Sequence, residues 1–242
     1  MTTTDARDAA RGRLTRTRVL ETAVALADRI GIEALTIRRL ATELEVKPMT
    51  LYHYVPAKEA ILDGVVDLVF GEIDDPPLDG SWKDAMRHRC SSAREVLRRH
   101  PWAVPLLESR TSPGPATLHH HDAVLGCLRR GGLSWELTAH AYALLDAFVY
   151  GFALQEAALP SGGGGEIGEL ADQLVQAFPV GEYPHLAEFT MQHVLQPGYS
   201  FGASFDVGLD LLLDGIDAAA RREARSAGSS ASASAPRHST DH

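Results

Sequence analysis

The chain has 242 residues, 45% of them hydrophobic and 23% charged, with a formal net charge of −9. That length allows one large or two modest domains with a real core, and the composition is that of an ordinary globular chain. Its two cysteines, Cys90 and Cys127, lie in apolar-periodic segments with no CxxC or Cys/His spacing, which excludes a disulfide framework or zinc site and marks both as reduced core thiols. No apolar leader opens the sequence and no run approaches about 18 apolar residues, so a cytoplasmic protein outside the membrane is expected. The charge is uneven: residues 1–60 carry +2 and the remainder −11. A slightly basic head on an acidic body fits a protein with one DNA-facing end.

Residues 1–13, with Arg7, Arg11 and Arg13 among small residues, read as a flexible basic arm. It is either a frayed terminus or an extra contact to phosphate or the minor groove. Leu14 to Ile30 is a first helix, with an apolar stripe through Val19, Leu20, Ala23, Val24 and Ala27, stopped by Gly31. Thr36 caps a second helix to about Leu44, with Ile37, Leu40, Ala41 and Leu44 on one face. Glu45-Val46 makes a turn. Pro48 opens a third helix through Tyr54, where its missing amide hydrogen costs nothing. Leu51 points inward, while Thr50, Tyr52 and Tyr54 offer hydroxyls outward. Two short helices joined this way form a helix-turn-helix whose second member can enter a major groove.

Helix resumes over 56–73, linking head to body, and DDPPLDG at 74–80 breaks it. The body is helical in pattern: 81–100, 102–109, 116–130, 135–159 after the cap Ser134, 166–178, 184–195 and 201–222. The helix 135–159 is apolar on more than one face and needs partners all round. Gly162 to Gly165 is a flexible linker. The Ser/Ala-rich end has no apolar period and reads as disordered. The expected fold is all-α, with a three-helix helix-turn-helix head and a larger helical ligand-binding and dimerisation body. The divisions are an arm over 1–13, a DNA-binding domain over 14–60, the body over 61–222 and a tail over 223–242.

Residues 14–65 resemble the DNA-binding domain of the TetR/AcrR family of transcriptional repressors. The matching features are the apolar first helix, Gly31, Leu35-Thr36, Arg38 with Leu40-Ala41, Val46, Leu51-Tyr52 and Lys58. The body is similar, more loosely, to the tetracycline-repressor-like branch, through HPW at 100–102, LLDAFVYGFALQEAALP at 144–160, YPHL at 183–186 and FDVGLDLLLDGI at 205–216. The resemblance implies a homodimer in which helices 135–159 and 201–222 pair with their symmetry mates. Two recognition helices then meet a palindromic double-stranded operator about 34–36 Å apart. It also implies release of DNA by a small-molecule effector. An activator or an effector-independent DNA-binding protein shares the same sequence features.

The resemblance assigns DNA contact to Thr36, Arg38, Pro48, Met49, Thr50, Tyr52, Tyr54 and Lys58. Lys58 and the hydroxyls of Thr36 and Tyr52 suit phosphate, although Tyr52 also reads as a core-edge aromatic. Arg38 suits either guanine or phosphate, and Thr50 with Pro48 and Met49 suits thymine methyl groups. Glu45 departs from the family, which usually has glycine in this turn. The effector pocket is expected among the helices at 81–159, with Trp102, Leu106, Leu107, Arg110, His121, Tyr142, Asp146 and Phe148 as lining residues. That mixed set suits a moderately hydrophobic organic molecule. Tetracycline itself is not expected, because the segment around 102–109 lacks the histidine that metal chelation needs. His119-His120-His121-Asp122 is not expected to hold a metal, since neighbouring helical residues point about 100° apart. No cofactor is implied. The absence of GxSxG, HExxH, a phosphate loop or a strand-borne GxGxxG argues against an enzyme.

Overall fold

The computed structural model describes residues 14–107, 109, 112–159 and 181–233, with residues 227–233 by backbone alone. The basic arm, Arg110, the linker at 162–165 and the helix expected over 166–178 lie outside the described residues. Among these residues the chain is helical and has no strand. The elements are α1 (Arg16–Ile30), α2 (Ile37–Glu43), α3 (Pro48–Leu51), α4 (Lys58–Gly71), α5 (Trp82–Arg99), α6 (Val104–Leu107), α7 (Pro115–Arg130), α8 (Trp135–Ala157), α9 (Pro184–Phe189) and α10 (Ser204–Ala233). Short 3-10 turns over Pro101–Ala103 and Phe201–Ala203 lead into α6 and α10.

The chain folds as two compact units. The first holds the described residues of Met1–Asp75 with Ser92–Ala123; the second holds Pro76–Ser91 with the described residues of Val124–His242. The grouping is not linear, and α5 and α7 are each divided between the two.

In the first unit, α1 starts at Thr15, whose hydroxyl accepts from the Arg18 amide at 3.1 Å. It stops at Gly31, whose φ of 79° only glycine adopts freely. Val19, Leu20, Ala23, Leu26 and Ala27 are buried along one face. Each leucine or valine so buried contributes about 1.5–3 kcal/mol before entropy is counted. This face packs on α4, whose Ile61, Val65, Val66, Val69 and Phe70 are buried in turn. The two helices approach closely at Gly64, where an added Cβ would lie 2.7 Å from both methyls of Leu20. Asp67 on α4 accepts from both the amide (2.8 Å) and the hydroxyl (3.0 Å) of Thr117 and so caps α7.

In the second unit, Ser81 starts α5: its Oγ accepts from the Asp84 amide at 3.1 Å and donates to Asp84 Oδ2 at 2.7 Å. Ser134 starts α8 by accepting from the Leu137 amide at 3.0 Å. Helices α8 and α10 meet through Phe148, Phe152 and Phe205, with ring centroids 5.1–5.9 Å apart. Arg87 joins α5 to Asp210 of α10 at 2.6 Å, and Lys83 pairs with Asp214. By length and mean hydropathy (1.3), α8 could cross a membrane, but half of that stretch is buried inside the protein.

Several boundaries differ from expectation. Helix α3 ends at Leu51 rather than Tyr54, because the His53 and Tyr54 amides bond three residues back to Thr50 and Leu51. The helix expected over 184–195 turns into a wide π turn at Thr190–Val194. The tail expected to be disordered from residue 223 continues as α10 to Ala233, and residues 234–242 lie outside the described residues. Ala219, Ala220, Arg221, Arg222, Glu223, Ala224 and Arg225 are strong helix formers, and propensity carries the helix beyond its last core residue.

The least expected core residue is Arg89, with a fully buried side chain whose Nη2 donates to Asp146 Oδ1 at 3.0 Å. Removing one partner strands a buried charge. Asp146→Ala is expected to cost about 3–5 kcal/mol by urea denaturation, whereas the double change Arg89→Met with Asp146→Leu is expected to cost far less. Equal losses would show that the pair is not what the site depends on.

Candidate functional site

The candidate DNA-facing end is built from local rules. Thr36 has an extended backbone and its hydroxyl accepts from the Arg39 amide at 3.2 Å, so α2 begins there. Its hydroxyl proton stays available to a phosphate. Leu40 and Ala41 of α2 are buried, and Ile37 and Leu44 half-buried. The turn closes through Leu44 to Leu40 (3.0 Å), Glu45 to Thr42 (3.1 Å) and Val46 to Ala41 (2.9 Å), each amide donating to a carbonyl. Glu45 takes φ 55°, the one non-glycine residue in the left-handed region among the described residues. That conformation costs an L-residue about 1–2 kcal/mol. The departure from glycine in the sequence is therefore a real backbone cost.

Leu51 and Val55 are both fully buried and anchor the recognition stretch. Outside remain Pro48, Met49 (72% exposed), Tyr52 (45%) and His53, with Thr50 and Tyr54 half-buried. Tyr52 is thus more surface than core. Arg38 and Lys58 are exposed, and neither has a carboxylate partner among the described residues. Other cations nearby are committed: Arg29 pairs with Glu43 at 2.7 Å, and Arg39 donates to the Ala34 carbonyl at 3.0 Å.

The expected effector residues are divided. Trp102, Leu106, Leu107 and His121 fall in the first unit, Tyr142, Asp146 and Phe148 in the second. Trp102 is buried and its indole N–H donates to Asp28 Oδ1 at 2.6 Å. Leu106 and Leu107 are half-buried on α6. His121 lies against the rings of Phe70 and His120, with centroids 5.6 and 5.9 Å away. Tyr142 and Phe148 are half-buried on α8. A cavity of about 420 Å³ in the second unit is lined instead by Lys83, Asp214, Asp217 and Arg221, among others.

Sequence reasoning misses Arg89. It falls in the buried stripe of Ala85, Met86, Cys90 and Ala93 and is the wrong kind of residue for it; that mismatch is the signal. Burial works against its charge, but Asp146, with Cys90 and Tyr150, more than offsets this and drives its pKa above the ordinary value. Burial pushes the Cys90 thiol up despite Arg89, and raises Cys127 too, so neither is a ready thiolate.

His119 Nε2 lies 2.7 Å from Asp75 Oδ2, a hydrogen bond and a charge that both raise its pKa. His120 is instead buried against Phe70. His121 shares that ring, and no group of three or more His, Cys, Asp or Glu is placed to hold a metal among the described residues.

Two family models match the chain. Residues 19–65 match "Bacterial regulatory proteins, tetR family" and residues 76–220 match "Tetracyclin repressor-like, C-terminal domain". The HTH-type transcriptional repressor DrrR1 of Streptomyces coeruleorubidus is 33% identical over 223 residues, covering 84% of this chain and 77% of its own. The class C tetracycline repressor protein of Escherichia coli is 29% identical over 209 residues, covering 85% and 91%. Among solved structures, the TetR family protein ActR of Streptomyces coelicolor, in complex with actinorhodin, superposes with a TM-score of 0.72 at 30% identity, over 86% of this chain and 99% of ActR. With a DNA-binding model at one end and a regulatory-body model over most of the rest, the chain belongs to the TetR family of bacterial transcriptional regulators and is not an enzyme.

Proposed function

We propose that the protein is a repressor that holds a palindromic operator as a homodimer and releases it when a small organic molecule binds the body. The observation that carries this reading is the reading end itself. Exposed Met49 sits on a short, firmly anchored helix and exposed Tyr52 just past its end, flanked by Arg38 and Lys58, whose charges nothing among the described residues neutralises. It acts where the DNA is, in the cytoplasm.

Thr36, Lys58 and Tyr52 position the head on phosphates. Arg38, Pro48, Met49, Thr50 and Tyr54 face the bases. Lys58→Ala is expected to weaken binding evenly across true and scrambled operators and to lower the salt slope by about 1. Thr50→Ala and Arg38→Ala are expected to change base preference, each reducing discrimination by about 1–3 kcal/mol. Fluorescence anisotropy on an operator panel reads both; an equal drop on every sequence from all three variants would refute this division.

Helices α8 and α10 support the dimer. Leu144 and Leu154 on α8 and Val207 and Leu211 on α10 are 50–70% exposed, more apolar surface than one chain needs. Val207→Asp with Leu211→Asp is expected to yield a monomer in sedimentation, with much weaker operator binding; a dimer that persists would place the interface elsewhere.

ActR is seen holding actinorhodin, which makes actinorhodin the first probe for this chain. Titrated into the protein–operator complex, a bound effector must lower operator affinity by the factor by which operator lowers its own. A probe that binds without shifting operator affinity is not an effector.

A further inference from the structure

One carboxylate oxygen in the first unit receives two side chains from a distant part of the sequence. Asp28, on α1, faces His100 Nδ1 at 2.7 Å and the Trp102 indole N–H at 2.6 Å, both at Oδ1. The other ring nitrogen of His100 lies 3.2 Å from Glu72 Oε2, just past the end of α4. Arg99 Nη2 reaches that same Glu72 oxygen at 3.0 Å. His100 and Trp102 are buried, and Pro101 between them starts the 3-10 turn with its φ fixed. One rigid corner thus holds α1 and α4 through polar groups.

Apolar contacts would hold this corner with less desolvation, since the buried imidazole and indole N–H groups cost free energy even when paired with the part-exposed carboxylates. Directional hydrogen bonds have a different virtue: they fix one arrangement and break abruptly in another. The helix they grip matters, because α2 and α4 both pack on α1, and α3 packs on α2. A change in how α1 is held therefore reaches the recognition stretch.

We propose that Asp28, His100 and Trp102 form a latch that sets the attitude of α1 and thereby operator affinity. They are positioning residues and read no base. The proposal rests on operator binding as the protein's function and names the point in the fold that regulates it.

The test uses the full chain. Trp102→Phe keeps the ring and removes one donor. Asp28→Ala removes the acceptor, and Asp28→Asn keeps an oxygen where both donors converge. Operator affinity is expected to fall at least fivefold in Trp102→Phe and Asp28→Ala, by the same factor on the true operator and its single-base variants, and to stay within twofold in Asp28→Asn. Amide exchange across α1 is expected to rise in the first two variants. Thr117→Val, which removes a hydroxyl bond to Asp67 in the same unit and touches neither α1 nor the latch, serves as the stability comparator and is expected to bind operator nearly as the wild type does. If Asp28→Ala does not fold, the Trp102→Phe and Asp28→Asn pair decides. Wild-type affinity in Trp102→Phe, a loss in Asp28→Asn as large as in Trp102→Phe, or an equal loss in Thr117→Val would overturn the latch. If the wild type itself ignores DNA, the function falls, and exchange alone judges the latch: unchanged α1 protection in Trp102→Phe overturns it.

Discussion

A helix of four residues has no stability of its own. Nucleating a helix fixes several dihedrals for one hydrogen bond, and isolated helices below about 12 residues are marginal in water. Pro48–Leu51 is therefore helical only because other parts of the chain require it. Pro48 supplies the first φ, and Leu51 and Val55 disappear into the core. The Val55 amide donates to the Leu51 carbonyl at 2.9 Å, tying the stretch to its own anchor. The placement of Met49, Thr50 and Tyr52 is thus set by packing behind them. That packing in turn rests on α1 against α4, where Gly64 lets Leu20 approach.

The second unit is organised by a different balance. Its helices are held mostly by apolar burial, with Phe148, Phe152 and Phe205 locking α8 to α10. One ion pair, Arg89 with Asp146, sits inside that apolar surround. An ion pair in such a place contributes little net stability, but it penalises any register of α5 on α8 that leaves either charge alone. Burial holds the helices together; the pair determines which residues face each other.

What is legible in the sequence is local. Thr36 and Ser134 as caps, Gly31 as a stop and the turn at Glu45-Val46 all depend on a few neighbouring residues, and each is found in the structure. The apolar stripes of α1 and α5 follow from helical period alone. What escapes is non-local. Arg89 and Asp146 are 57 residues apart, and Asp28 is 72 and 74 residues from His100 and Trp102. No periodicity links such positions. Trp102 and Asp146 suit a pocket by their chemistry, whereas the structure shows each engaged by a partner that only the fold could bring. The far end of α10 escapes for another reason: the lack of an apolar stripe reads as lack of helix, although alanine and arginine sustain a helix without one.

The non-linear make-up of the first unit bears on the order in which the chain can fold during synthesis. The helix-turn-helix leaves the ribosome early, yet Asp28 waits 72 residues for His100, and Asp67 waits 50 for Thr117. Until then α1 and α4 have only each other and the helix-turn-helix pair. The segment proposed to read DNA is made first but is completed late, so a nascent chain stalled before residue 100 would present that stretch without its supporting corner.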